Sequence, residues 1–233
     1  MFGLAVPALG AGQIPPWTGG AAQMAPFEAR ASEIASTLAG RDAWVVCVNG
    51  SGWIELANRY GFAKAETWAL TPMNGDTPGD VTKLSPRACA GADAFFRRPV
   101  AGGTRICRHG TLTGECDGWG RTLVAVHVLA HESMHLAGIV DEAEADCLGL
   151  QLDAFVAMRL GAPSALARQL ATDYWTQYYP EQPPGYRSPR CHDGGALDAP
   201  NRIATRAPSC RPRQSASASS RTPARCIDSC ART

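Results

Sequence analysis

Lysine is nearly missing from this 233-residue chain, which contains only Lys64 and Lys83. The formal net charge is +1, so no bulk charge favours binding to nucleic acid or to an anionic membrane. The sequence also lacks any apolar run near the roughly 18 residues that a membrane-spanning helix needs. We therefore predict no nucleic-acid partner and no transmembrane span. A chain of this length is expected to form one domain with appendages.

Several catalytic and binding motifs are also missing. The chain has no phosphate-binding Walker loop, no dinucleotide-binding fingerprint and no G-x-S-x-G nucleophile turn. It has nine cysteines but no C-x-x-C pair, which argues against a zinc knuckle. This number of cysteines favours an oxidising compartment, so we expect a secreted or cell-envelope protein, with buried free thiols as the alternative. Three disulfides are possible among the first six cysteines, Cys47, Cys89, Cys107, Cys116, Cys147 and Cys191.

Composition divides the chain into three parts. Residues 1–25 are apolar and rich in Gly and Pro, as expected of a linker or the remnant of an export signal. Residues 26–200 are predicted to form the folded domain. Residues 201–233 contain seven arginines and one acid, Asp228, together with many Ser and Ala, and are predicted to be a disordered tail.

Hydrophobic periodicity and turn residues predict an α+β domain that is mainly helical. Ser85-Pro86 is a typical helix start, in which a capping residue precedes a proline in the first helical position. The predicted helices in the flanking regions cover 27–38, 53–60, 86–97 and 163–179. The predicted strands cover 43–48, 68–70 and 81–84.

The most informative segment is His131-Glu132-Ser133-Met134-His135, which has the pattern H-E-x-x-H. Residues 121–137 contain no Gly or Pro and have apolar residues near the helical period, which predicts a helix that ends at Gly138. Positions i and i+4 of a helix lie on one face, so both imidazoles can bind one Zn²⁺. Glu132 then projects beside the metal, where its carboxylate can take a proton from zinc-bound water. The alternative is a helix whose histidines are satisfied core residues.

A second helix is predicted from the capping residue Asp141 to about Leu160. The two helices form an antiparallel hairpin, in which residues equidistant from the turn face each other. Glu142 then lies opposite His135 and completes a site of two histidines and one glutamate, with an open position for water. Asp146 lies opposite His131 and can orient that imidazole through its second ring nitrogen.

These segments resemble the zincin metallopeptidases, and among them the gluzincins. The H-E-x-x-H residues match the zinc helix position for position, and residues 142–146 are similar to the E-x-x-A-D signature of the prenyl-protein and heat-shock zincin proteases. The resemblance implies that Glu142 binds zinc and that Asp146 supports the site. Those families place many residues between the two motifs, whereas this chain places six, and the resemblance covers only about the middle third of the chain.

A second resemblance proposes a different third ligand. Residues 131–141 also read H-E-x-x-H-x-x-G-x-x-D, which is similar to the snapalysin-like metzincins. In that family the Gly permits a sharp turn and the final Asp binds zinc, which makes Asp141 the second candidate. We prefer Glu142 because Ala145 and Asp146 fit the helix and no Met-turn is obvious downstream.

Other residues receive supporting roles. His127 lies one turn before His131 on the same helix face, and we interpret it as a residue that supports a ligand or packs in the core. Zincins usually have a Tyr or His that stabilises the oxyanion of the reaction, and their architecture implies an edge strand that pairs with extended substrate. The edge-strand candidate is Val81–Leu84. The oxyanion candidates are Tyr174, Tyr178, Tyr186 and His192.

The sequence thus predicts a mainly helical, disulfide-stapled, zincin-like domain with a small β-sheet and an active-site helix hairpin. The implied function is zinc-dependent hydrolysis of a peptide or protein substrate, with Glu132 as general base. Three alternatives remain open. The zinc site is only structural, or the chain is a disulfide-rich secreted binding protein with an accidental motif, or three histidines that include His127 hold the metal.

Overall fold

A computed structural model describes residues 24–63, 67–99 and 118–198 of the chain. The described part is α+β, with seven α-helices and a small β-sheet, as the sequence predicts. Within these residues, no helix has both the length and the apolar character that crossing a bilayer requires. The predicted tail at 201–233, nearly all of the predicted linker at 1–25, and the cysteines Cys107 and Cys116 lie outside the described residues.

Three helices in the first half of the domain were predicted, and α2 begins three residues earlier than its predicted range of 53–60. Helix α1 covers Pro26–Ala39, α2 covers Gly50–Tyr60 and α3 covers Pro86–Arg97. The side chains of Asn49 and Ser85 accept hydrogen bonds from the first-turn amides of α2 and α3, respectively. Such caps satisfy amide groups that have no partner within the helix, which fixes where each helix starts.

The sheet has three short strands in the order β1-β5-β2. Strand β5, Val81–Leu84, pairs in parallel with β1, Trp44–Cys47, and antiparallel with β2, Ala69–Leu70. Both sides of β5 are therefore occupied, and the prediction that Val81–Leu84 is an edge strand is wrong. The structure also contains a hairpin of two-residue strands, β3 at Met73–Asn74 and β4 at Thr77–Pro78. The sequence did not predict it, because strands this short are too short to show an alternation of apolar and polar residues.

Helix α4, Gly118–Leu136, forms the centre of the molecule. Every residue from 122 to 136 is buried, and the helix contacts α1, α3 and the three helices that follow it. A helix with no exposed face has to be a core helix. It ends at Gly138, whose φ of 95° lies in the left-handed region that favours glycine, and the Ile139 amide then donates to the Met134 carbonyl at 3.0 Å.

The predicted second hairpin helix is in fact two helices, α5 at Glu142–Leu150 and α6 at Asp153–Arg159. The helix is interrupted at Gln151 and Leu152. There the Leu152 amide donates a hydrogen bond to the carbonyl three residues earlier, that of Gly149, at 2.8 Å. This tighter turn changes the helix direction. Two short 3-10 turns follow the next helix. The remaining elements are α7 at Ser164–Gln177 and the 3-10 turns at Tyr179–Glu181 and Pro184–Tyr186.

Two disulfides join these elements. Cys47 at the end of β1 pairs with Cys89 of α3, and Cys147 of α5 pairs with Cys191 beyond the 3-10 turns. The predicted disulfide-stapled domain is confirmed for these two pairs. Cys191 thereby ties residues 179–198, here called the C-terminal strap, to α5.

Candidate metal centre

Three predicted ligands meet at one point between α4 and α5. The Nε2 atoms of His131 and His135 lie 3.0 Å apart, and Oε2 of Glu142 lies 3.1 Å from the first and 3.5 Å from the second. Both imidazoles are fully buried, whereas the Glu142 side chain is 20% exposed. These three residues, here called the metal group, form a cluster that could hold a metal ion.

The turn after α4 fixes the ring of His135. Its Nδ1 lies 2.7 Å from the carbonyl oxygen of Ile139, which has only lone pairs to offer, so Nδ1 carries the proton and donates it. In the neutral imidazole the lone pair of Nε2 then points toward His131 and Glu142, whereas in the imidazolium Nε2 carries a proton that it can donate to Glu142. The Gly138 turn therefore does two things: it ends α4 and brings the carbonyl that sets the His135 tautomer.

Glu142 lies in the first turn of α5, directly after the capping residue. Burial alone would raise the pKa of Glu142, but hydrogen bonds from His131 and His135, and their charge, outweigh burial and lower it to about 2. Burial would likewise lower the pKa of His131, but Asp146 and Glu142 raise it to about 10. Both shifts show that the surrounding carboxylates favour a positive charge at this point, which a proton or a metal ion would supply.

Close approach of α5 to α4 depends on Gly149. A Cβ at this position would lie 2.9 Å from the amide nitrogen and 3.0 Å from the Cα of His131. Both are backbone atoms that cannot swing aside, so only glycine fits without separating the helices. The two helices can thus approach closely enough for the short Asp146 side chain to reach the α4 histidines.

Asp146 lies beside His131, as predicted, but it also contacts His127. Its Oδ1 is 3.5 Å from Nδ1 of His131 and 3.0 Å from Nε2 of His127. The other nitrogen of His127 lies 3.1 Å and 3.2 Å from the two carboxylate oxygens of Asp153. Tyr174 stacks on the His127 ring, with centroids 3.9 Å apart and planes at 17°. His127 is thus held on every side by α5, α6 and α7.

A second cluster, of His127, His131 and Asp146, could also hold a metal ion. It shares His131 with the metal group: Nδ1 faces Asp146, and Nε2 faces Glu142. Among the described residues, no metal-binding cluster combines His127 with both His131 and His135, so the alternative of a three-histidine site is not supported by the geometry.

Glu132 is buried beside the metal group but does not belong to it. The hydroxyl of Thr71, directly after β2, donates to Oε2 of Glu132 at 2.5 Å and in turn accepts from Thr82 on β5. The other oxygen, Oε1, has no hydrogen-bond partner among the described residues. Burial raises the pKa of Glu132, and the opposing charges of His135 and His131 do not cancel the effect.

The remaining predicted residues separate into near and distant ones. The carboxylate of Asp141 accepts from the Glu144 amide at 2.8 Å, so it caps α5 and lies outside the metal group. Among the oxyanion candidates, only Tyr186 places its ring beside a ligand, with its centroid 6.1 Å from that of His131. Tyr174 packs on His127, Tyr178 stacks on Tyr174, and His192 is exposed.

Tyr186 of the C-terminal strap lies beside the metal group. Tyr186 is 7% exposed, and burial, followed by the charge of Glu142, raises its pKa well above the usual value. The strap is attached to α5 by the Cys147–Cys191 disulfide and to the residue after α5, Gln151, whose side-chain amide donates to the Leu197 carbonyl at 2.9 Å. The strap therefore shields one side of His131, while the Glu142 side chain remains 20% exposed.

Two residues of the site were missed from the sequence. Asp153 lies seven residues after Asp146, a spacing that places both on one face of the continuous helix predicted from the sequence, so a signal existed that the sequence analysis did not use. Thr71 is 61 residues from Glu132 and nothing local marks it. No protein-family model, curated protein or solved structure matches this chain.

Proposed function

We propose that this protein is a zinc-dependent hydrolase of peptide bonds. The observation that carries the proposal is the meeting of two imidazole nitrogens and one carboxylate oxygen, from the metal group, within 3.5 Å of one another. Glu132, the next residue after a ligand, supplies a separate buried carboxylate. This combination supports a catalytic site better than a purely structural one.

The spacing of the ligand atoms suits zinc. Tetrahedral zinc with bonds of about 2.0–2.2 Å separates its ligand atoms by roughly 3.3–3.6 Å. Of the observed separations, 3.5 Å lies in this range, and 3.0 and 3.1 Å are slightly shorter. Two histidines and one glutamate, with a fourth position for water, are also a ligand set used by catalytic zinc. Other divalent ions accept similar ligands, so the choice of zinc rests on this geometry and on the resemblance in the sequence.

Glu132 is the proposed general base. When bound, zinc would lower the pKa of a water molecule to about 7 and polarise a substrate carbonyl. Thr71 occupies Oε2 of Glu132, which leaves Oε1 to accept a proton from the attacking water. Because burial raises the pKa of Glu132, the carboxyl can hold that proton until the leaving amine takes it.

Tyr186 is the proposed oxyanion donor. Its ring lies beside His131, and its raised pKa keeps the phenol protonated and able to donate a hydrogen bond. A peptide is the proposed substrate because a set of base, metal and hydrogen-bond donor can promote the addition of water to an amide carbonyl, and because residues 131–146 resemble zincin motifs.

Enclosure favours a second candidate function, a structural metal site that staples α4 to α5. His131, His135 and Glu132 are fully buried, and Tyr186 of the strap lies beside His131. Structural zinc sites are closed and keep no open position for substrate. A structural site would bind the metal equally well but would not need Glu132.

The two candidates are separated by metal analysis and peptide cleavage on the full chain. We expect about one zinc per wild-type chain and cleavage of a fluorogenic peptide library. Glu132→Gln should keep the zinc and lose at least about a hundredfold in rate. Glu142→Gln should lose the zinc, and Glu144→Gln, the matched control on the same helix, should change neither property.

Other results would contradict the proposal. Absence of stoichiometric zinc in the wild type would remove both candidate functions and favour a protein with an accidental motif. Bound zinc with no cleavage of any peptide, or with equal cleavage by wild type and Glu132→Gln, would support the structural site.

A further inference from the structure

A line of buried polar side chains leads away from the metal group across three helices. It runs from His131 of α4 to Asp146 of α5, back to His127 of α4, and on to Asp153 of α6. We infer that Asp153 and His127 are positioning residues: they fix the Asp146 carboxylate and, through it, the ring of His131. The inference rests on the proposed metal site, but it concerns residues that touch neither metal nor substrate.

The geometry of His127 supports this inference first. Each of its ring nitrogens faces a carboxylate, Asp153 at 3.1 and 3.2 Å on one side and Asp146 at 3.0 Å on the other. The stacked ring of Tyr174 blocks rotation of the imidazole out of this plane. His127 therefore has one orientation, and that orientation presents a hydrogen-bond donor to Asp146.

Asp146 connects the fixed ring of His127 to the metal group. The same oxygen, Oδ1, that contacts His127 lies 3.5 Å from Nδ1 of His131. Nδ1 of His131 has no hydrogen-bond partner among the described residues, and Oδ1 of Asp146 faces it at ion-pair distance, so a donor that holds Oδ1 in place also sets the position of the carboxylate that faces His131. Since the second nitrogen of a metal-binding imidazole sets the ring direction and tautomer, the position of Oδ1 decides how Nε2 of His131 faces its metal.

The burial of all four side chains argues against a purely structural role for the line of polar residues. Both histidines and both aspartates of the line are 0% exposed. Well-packed apolar side chains usually stabilise a core at least as well as buried charges do, so stability alone does not require two extra ionisable residues behind Asp146. Positioning of a ligand does require polar groups, because orientation is transmitted by directional hydrogen bonds.

Titration with Co²⁺ tests the inference, since its visible absorption reports the geometry around the metal as well as its affinity. The variants are Asp153→Ala, which removes the acceptor of His127, and Asp153→Asn, which keeps a neutral acceptor of the same shape. The control is Asp173→Ala on α7. Asp173 accepts from the Trp119 indole at 2.9 Å, so it also anchors α4, but more than three turns away from His131.

Positioning predicts that Asp153→Ala weakens Co²⁺ binding about 10- to 100-fold and alters the visible spectrum of the bound ion. Asp153→Asn should show a smaller loss of the same sign, and Asp173→Ala should bind like the wild type. Metal-free melting temperatures are measured alongside, because a purely structural role would lower the melting temperature without changing affinity or spectrum in the folded protein.

Clear results would overturn the inference. If folded Asp153→Ala binds Co²⁺ with wild-type affinity and spectrum, Asp153 does not position the site. If Asp153→Ala does not fold, unchanged affinity and spectrum in Asp153→Asn overturn the inference, and a weakened affinity supports it. Two bound ions per wild-type chain, one in the cluster of His127, His131 and Asp146, would make these residues ligands instead. Failure of the wild type to bind any metal is a different result, which refutes the proposed function.

Discussion

Helices α3 and α5, which flank α4, are alike in one respect and opposite in another. Each contains a cysteine and, two positions later, a glycine: Cys89 and Gly91 in α3, Cys147 and Gly149 in α5. Two positions correspond to about 200° around a helix, so the glycine faces α4 while the cysteine faces away, toward its disulfide partner. The same local arrangement thus brings both helices close to the central one.

The two contacts differ in what they bring together. A Cβ on Gly91 would lie 3.0 Å from the Cβ of Ala125 and 3.2 Å from the backbone carbonyl oxygen of Arg121, away from the metal group, whereas a Cβ on Gly149 would meet the backbone of His131. The α3 contact serves packing alone, and the α5 contact brings ionisable groups together. The comparison teaches that a close contact between two helices does not by itself make a functional site. The residues beside the contact decide whether a site forms there.

Removing either disulfide should have the largest effect on stability. The two removals should also distinguish the α3 contact from the α5 contact. The loops closed by Cys47–Cys89 and Cys147–Cys191 span 42 and 44 residues. Loops of nearly equal length constrain the unfolded chain equally, so replacing either pair with serines should cost about 4 kcal/mol in the chain-entropy estimate.

Metal binding should respond to only one of these changes. Cys147→Ser with Cys191→Ser frees the strap beside the metal group and should weaken zinc binding, whereas Cys47→Ser with Cys89→Ser should not. Chemical denaturation measures the first quantity and calorimetric zinc titration the second. Equal zinc affinity in both double variants would contradict a link between strap and site.

Zinc removal should have the next largest effect. At a free zinc concentration 100 times its dissociation constant, binding to the native state adds about 2.7 kcal/mol to the free energy of unfolding. A chelator should remove that amount from the wild type and nothing from His135→Ala. Hydrogen exchange should then show faster opening of α5 with little change in α3, and equal changes in both helices would contradict a local site.

Filling the two glycine contacts should have a smaller effect, of about 1–3 kcal/mol each. Gly91→Ala and Gly149→Ala should both lower the melting temperature because each forces a neighbour to move. Only Gly149→Ala should also weaken zinc binding, since the new methyl group meets backbone atoms of a ligand. The comparison fails if Gly91→Ala weakens zinc binding as strongly.

The features of the fold and of the site that could be predicted are those that depend on local sequence signals. The bounds of α3 follow from Ser85-Pro86 and match the prediction, and the proximity of His131, His135 and Glu142 follows from helix periodicity and one tight turn. These features lie within a few helical turns of sequence. They come together in the structure because α4 and α5 form the predicted hairpin.

Other features depend on contacts between distant residues. The central position of β5 is set by its neighbours β1 and β2, and nothing within Val81–Leu84 signals it. The hydroxyl on Glu132 comes from Thr71, on a different layer of the fold. Six cysteines allow fifteen pairings, so Cys147–Cys191 was one possibility among many.

The helix caps should give the smallest effect. Ser85 caps α3 and Asp141 caps α5, and alanine at either position should cost about 1 kcal/mol. Asp141→Ala should also loosen the adjacent Glu142 and weaken zinc binding by a few-fold, whereas Ser85→Ala should leave it unchanged. Complete loss of zinc in Asp141→Ala would instead make Asp141 the third ligand, as the second family resemblance proposes.

The order of these contacts along the chain has a consequence for how the protein would acquire the proposed metal ion. Glu142 is only 11 residues from His131, whereas the strap is tied to α5 across 44 residues. Short loops close sooner than long ones during folding. We therefore expect the ligands to assemble on the α4–α5 hairpin while the site is still open, so that the ion enters a folding intermediate. Protein that has folded and oxidised without metal should then load slowly, at the rate at which the strap opens.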